Sequence, residues 1–93
     1  MKRESVIFTF SGQFVVDSFL AFARHRAARL DMPLAILSSD ETAISLAVEG
    51  QVDLVDAFEM ACSLGPHDCI VLEAESSTAT PELFEHRNER MNQ

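Results

Sequence analysis

The sequence contains no Trp and no Tyr, so the broad, hydrogen-bonding rings on which proteins stack bases or hold sugars are missing. Glycine and proline are scarce, at three residues each, which excludes linker-like and low-complexity architectures. Only two cysteines occur, Cys62 and Cys69, and neither lies at metal-ligand spacing; buried thiols in a reducing compartment are expected. His25, His67 and His86 fall on three separate segments without ordered Cys or carboxylate partners, so no metal and no cofactor is expected. Between Leu30 and His86 there is no Lys or Arg at all, while twelve of the fifteen Asp and Glu lie in that stretch. A surface so depleted of cations repels phosphate backbones and anionic headgroups, and nucleic-acid and membrane-surface roles are thereby disfavoured. No apolar run approaches the roughly 18 residues of a membrane span. The opening Met1-Lys2-Arg3-Glu4-Ser5 carries no leader-like apolar region, so the cytoplasm is the expected location.

What is present is a globular pattern: 47% hydrophobic residues and seven Phe in 93 positions, enough for one two-layer core. Val6, Phe8 and Phe10 alternate within a β-branched and aromatic run, the mark of a first strand that Ser11-Gly12 is expected to end. Val16, Leu20, Ala23, Ala27 and Leu30, with Phe19 widening the stripe, have the spacing of a helix laid on a sheet. Asp17 or Ser18 is the expected N-cap, and Arg24, His25, Arg26 and Arg29 oppose the negative pole of the helix dipole. Leu34–Leu37 and Ile44–Val48 read as a strand pair around the polar turn Ser38–Thr42. Val55, Phe58 and Cys62 place a second helix over Val52–Leu64, stopped by Gly65-Pro66, and Cys69–Ala74 reads as a fourth strand. Residues 1–76 are therefore expected to form one domain. Residues 77–93 read as a polar tail that offers a short edge strand at Leu83-Phe84 or a frayed turn, then disorder.

The order β-α-β-β-α-β is that of an α+β, ferredoxin-like two-layer sandwich, an antiparallel sheet with two helices on one face. Within that class the chain resembles the acylphosphatase family. Ser11-Gly12 stands where the family's phosphate loop opens, Ala27-Ala28-Arg29-Leu30 ends the first helix, Val48-Glu49-Gly50 precedes the second, and Gly65-Pro66 follows it. The match spans residues 5–66 without a gap and loosens beyond, where the stretch to the fourth strand is short.

The resemblance implies an acyl phosphate hydrolase in which an Arg and loop amides hold the phosphate and an Asn orients the attacking water. Position for position, however, the Arg is Leu20 and the Asn is Ser38, so no catalytic residue carries over. Leu20 has no donor, and Ser38 lacks the amide's paired donor and acceptor. The loop, Gln13-Phe14-Val15-Val16-Asp17-Ser18-Phe19, contains no Gly, and β-branched Val15 and Val16 resist the conformations that turn amides toward an anion. Asp17 adds a negative charge there, and its carboxylate is expected to cap the helix in place of a phosphate. The expected function is a catalytically degenerate acylphosphatase-like domain acting as a non-enzymatic interaction or small-ligand module. Its partner would be a protein, a small molecule or a second copy paired through a sheet edge. The alternative is an acylphosphatase with weak or rearranged activity. A third reading, an acidic regulator of a basic protein patch, rests on the charge distribution.

Overall fold

The computed structural model describes residues 2–79; the expected strand at Leu83-Phe84 lies outside the described residues. In chain order come β1 (Arg3–Gln13), α1 (Val16–Arg29), β2 (Leu34–Ser39), β3 (Ala43–Gln51), α2 (Val52–Leu64) and β4 (Ile70–Thr78). The strands form one antiparallel sheet in the order β2-β3-β1-β4, so the ferredoxin-like topology stands as expected. No helix among the described residues is long and apolar enough to cross a membrane.

The central pair sets the core. Val6, Phe8 and Phe10 of β1 face Val48, Leu46 and Ile44 of β3, and all six are buried because side chains two apart on a strand share a face. Against that face α1 lays Phe19, Ala23 and Ala27, and α2 lays Val55, Phe58 and Cys62. Phenylalanines link the layers: Phe58 meets Phe8 at 6.2 Å between ring centroids, Phe8 meets Phe10 at 5.9 Å, and Phe10 meets Phe19 at 5.5 Å. Such pairs contribute about 0.5–1.5 kcal/mol each beyond the area they bury. The alanines of α1 let that helix approach closely, and a larger side chain at either position would have to displace buried neighbours.

Both helix ends follow from local chemistry. Beyond α1 the amide of Met32 donates to the Ala27 carbonyl at 2.9 Å and that of Asp31 to Ala28 at 3.1 Å, the paired bonds of a Schellman ending. That ending puts Asp31 in the left-handed region, at φ 57°, where Gly is the usual occupant. Arg26 and Arg29 lie in the last turn, as expected for the dipole. Helix α2 has the bounds expected from its pattern, and the Gly65 amide closes it on the Ala61 carbonyl.

The strands are longer than their apolar cores. β1 continues through Ser11, Gly12 and Gln13 rather than ending at Ser11-Gly12, and β4 runs to Thr78, four residues beyond Ala74 and into the segment read as tail. Both outer strands carry a bulge. On β2, Ile36 pairs with Leu46 and Ser38 with Ser45, which leaves Leu37 as the extra residue. On β4, Glu73 pairs with Ser11 and Val71 with Gly12, which leaves Leu72 as the extra residue. A bulge advances one strand by a residue and so changes which side chains share a face.

Candidate functional site

In this topology the ends of β1 and β2 and the starts of α1, β3 and β4 meet at one end of the sandwich. The stretch expected as a phosphate loop is mostly regular structure. Gln13 is the last residue of β1, Phe14 and Val15 connect, and Val16, Asp17, Ser18 and Phe19 form the first turn of α1. The Gly12 amide donates to the Thr42 carbonyl at 3.0 Å and the Phe14 amide to Glu41 at 2.9 Å, so this segment is fastened to the turn between β2 and β3. Phe14 is buried, its ring edge-on to Phe19 at 4.9 Å, and acts as a core residue.

Gly12 has a packing reason. A Cβ there would collide with the Ile70 carbonyl oxygen, and would lie 3.0 Å from the Ile70 carbonyl carbon and 3.1 Å from the Leu72 nitrogen. The β4 bulge brings that backbone in over residue 12, and only hydrogen fits between.

The expected cap by Asp17 is not formed. The N-cap is Val15, no side chain bonds the first-turn amides, and Asp17 is exposed inside the helix. The physical reason is that α1 begins earlier than expected: Phe14 is anchored in the core, the Phe19 amide already bonds the Val15 carbonyl, and Asp17 sits past the position from which a side chain can reach back. Its charge still suits the positive pole. A different carboxylate reaches this turn. The Ser18 hydroxyl donates to Asp68 Oδ1 at 2.9 Å, across fifty residues of sequence. That bond, above all, holds the Asp68 carboxyl below its ordinary value; slight burial opposes it, and the Cys69 thiol and nearby His67 add to it. The Cys69 thiol also points at the Val15 carbonyl, at 3.7 Å, and loss of water pushes its pKa up.

Leu20 and Ser38 are not brought together. Leu20 lies on α1 and packs against the core from the helix side. Ser38 is exposed and pairs with Ser45, whose hydroxyl lies 3.0 Å from that of Thr9. Ser45 and Thr9 alternate with the buried residues of their strands, so Ser38 faces the side of the sheet away from α1. The Leu37 bulge causes this, since one extra residue reverses the facing of every residue after it on β2. Next to it the turn is held by Asp40, whose Oδ1 accepts from the Thr42 amide at 2.8 Å, the Thr42 hydroxyl at 2.9 Å and the Ala43 amide at 2.8 Å. The Thr42 amide bond first, then its hydroxyl and the Ala43 amide, lower the Asp40 pKa.

Sequence reasoning missed Asp68 and the two backbone bonds to Glu41 and Thr42. His67-Asp68 carried no signal beyond a polar Gly-Pro connection, and contacts over this separation are not encoded locally. Away from this end, a groove of about 480 Å³ runs between α1 and β2, lined by Arg24, Ala27, Ala28, Met32, Leu34 and Ile36. Among the described residues its one fixed charge is the Arg24 guanidinium, and it is open to solvent.

This architecture is an acylphosphatase-like fold. The chain is similar to an acylphosphatase from Coxiella burnetii, at 17% identity and TM-score 0.75 over 84% of this chain and 82% of that one. It is similar to the acylphosphatase from Bacillus subtilis, at 14% identity and TM-score 0.74 over 84% and 86%. It also superposes on full-length HypF in its phosphate- and nucleotide-bound form, at 14% identity and TM-score 0.73, over 84% of this chain and 10% of that one. Identities this low establish the fold and nothing finer. No protein-family model matches the sequence, and no curated protein matches it.

Proposed function

We propose that the chain is a catalytically degenerate acylphosphatase-like domain that serves as a non-enzymatic interaction or small-ligand-binding module. The observation that carries this reading is the pair of residues at the family's two catalytic positions. Leu20 is hydrocarbon set on the core, and Ser38 faces the opposite side of the sheet. Hydrolysis of an acyl phosphate needs fixed donors for the phosphate and a group that positions water, and loss of one preorganised donor alone commonly costs about 10²–10³ in rate. The surroundings support the same reading, because Asp17 and Asp68 set negative charge beside the first turn of α1, where an anion would have to bind. The Gly12 and Phe14 amides, which an anion loop would turn outward, already serve the β2–β3 turn.

The test is hydrolysis of an aryl acyl phosphate followed by ultraviolet absorbance, with a parallel titration of inorganic phosphate read from amide chemical shifts. The expected result is decay at the buffer rate and no saturable shift in residues 12–20. Saturable hydrolysis accompanied by shifts in that segment overturns the reading and restores the alternative of an acylphosphatase with rearranged residues.

A further inference from the structure

β4 is an outer strand with no second neighbour among the described residues. Glu73 and Glu75 stand two apart on it, both exposed, opposite Ser11 and Thr9 of β1. Their neighbours across the sheet are therefore hydroxyls, and among the described residues neither glutamate has a cationic partner on β1. At the start of the strand Ile70 is 54% and the bulged Leu72 is 72% exposed, beside half-exposed Val15. The border of the sheet thus offers three things in line: apolar contact at one end, two carboxylates at strand spacing, and the main-chain groups of an outer strand.

We infer that β4 takes an extended, basic peptide segment of a partner protein as an added antiparallel strand, with two Lys or Arg side chains two residues apart set against Glu73 and Glu75. The inference rests on the interaction-module reading and names its partner. Charge complementarity selects this occupant. Opposite charges facing each other across strands stabilise pairing, and like charges oppose it. A second copy of the chain is the poorer fit. If the sheet continued with all helices on one side, the central registers of β4 against β4 would set Glu73 against Glu75, or each against itself. The incoming residue between the two cations would oppose Ala74, which is half-buried against the core, and a small apolar side chain suits it. Apolar residues at the end of the segment that meets Ile70 and Leu72 complete the match.

The test uses the full chain and two synthetic peptides, Leu-Thr-Lys-Val-Lys-Thr-Val and the same peptide with Glu for both Lys, titrated against amide chemical shifts. Saturable shifts centred on Val71–Thr78 are expected with the basic peptide only, weakening as salt rises. Glu73→Gln with Glu75→Gln should reduce affinity about two- to thirtyfold, the worth of two cross-strand ion pairs. Glu73→Lys with Glu75→Lys should exchange the preference in favour of the acidic peptide. Retained dispersion of the amide spectrum checks that these exposed substitutions leave the fold intact. Equal binding of both peptides, shifts centred elsewhere, or no binding at millimolar peptide each overturn the inference. Acyl phosphate hydrolysis measured on the same sample keeps the two readings apart: turnover defeats the proposed function, whereas silence in both experiments defeats only the partner.

Discussion

Replacing Gly12 by Ala separates two reasons for a glycine at the end of β1. If the residue served only an anion loop, an added methyl would leave stability in phosphate-free buffer nearly unchanged. In this fold the methyl would collide with the Ile70 carbonyl, which is backbone within a paired strand and cannot rotate aside. Either β4 moves outward or β1 does. Forcing atoms into a filled space costs about 1–3 kcal/mol. Movement at Ile70 also weakens the pairing of Gln13 with Ile70, at about 1 kcal/mol per hydrogen bond. Against this, Ala restricts the unfolded chain and returns about 0.4–1 kcal/mol. The net loss is about 1–3.5 kcal/mol, a substantial part of the roughly 5–14 kcal/mol available to a domain this size. Urea unfolding should show the midpoint falling at an unchanged slope. Gly50→Ala is the internal control. A Cβ there meets the Met32 thioether, 2.9 Å from Sδ, and that flexible side chain can yield, so a loss below about 1 kcal/mol is expected. A Gly12→Ala loss under about 0.5 kcal/mol, or one no larger than that of the control, would refute the packing argument.

Four further outcomes concern single side chains elsewhere in the domain. Val15→Ser should stabilise the chain by about 0.5–1 kcal/mol in urea unfolding, because Val15 stands at the N-cap of α1 with extended backbone and no oxygen to offer the first-turn amides. Asp31→Gly should add a similar amount, about 0.5–1 kcal/mol, by relieving a left-handed backbone and removing a negative charge from the negative pole of α1; the melting temperature should rise by about 2–8 °C. Cys62, whose thiol is pushed up to about 12 by burial despite the nearby Arg26, should resist iodoacetamide at pH 8 at least about a hundredfold more than a free thiol, as followed by intact mass. Asp40 has a folded pKa below its ordinary 3.8, so its contribution to stability is complete above that value and is lost as pH falls through the lower folded value. Asp40→Asn should flatten that acid limb in a pH series of unfolding curves, and an unchanged limb would count against the turn bonds as its origin.

Much of the fold was legible because it rests on periodicity. The alternation of Val6, Phe8 and Phe10 and the helical spacing of Val55, Phe58 and Cys62 are local statements about which face is apolar, and those six side chains are all buried. Strand ends were less legible because a backbone ladder persists past the apolar residues when its neighbours also persist. Ser11–Gln13 and Glu75–Thr78 are polar, yet they are held by partners on other strands. The candidate site was the least legible part. The facing of Ser38 depends on a bulge at Leu37 that no Gly or Pro announces. The charge beside α1 comes from Asp17 as read, but the carboxylate bonded to that turn is Asp68, fifty residues away in sequence. Gly12 was conspicuous in the sequence as the opening of the family's loop, whereas the close approach of another strand to it leaves no local trace.

The two outer-strand bulges, at Leu37 and Leu72, bear on how this chain behaves when crowded. Fibril growth requires straight, flat segments of about six or seven residues that stack in register with low net charge. One border of this sheet is interrupted after Leu34–Ile36, and the other offers Glu73–Thr78, whose glutamates would stack into columns of like charge. Among the described residues, the bulge that turns Ser38 away and the glutamates of β4 therefore leave neither border both straight and uncharged, while β4 keeps a segment long enough for one short visiting strand.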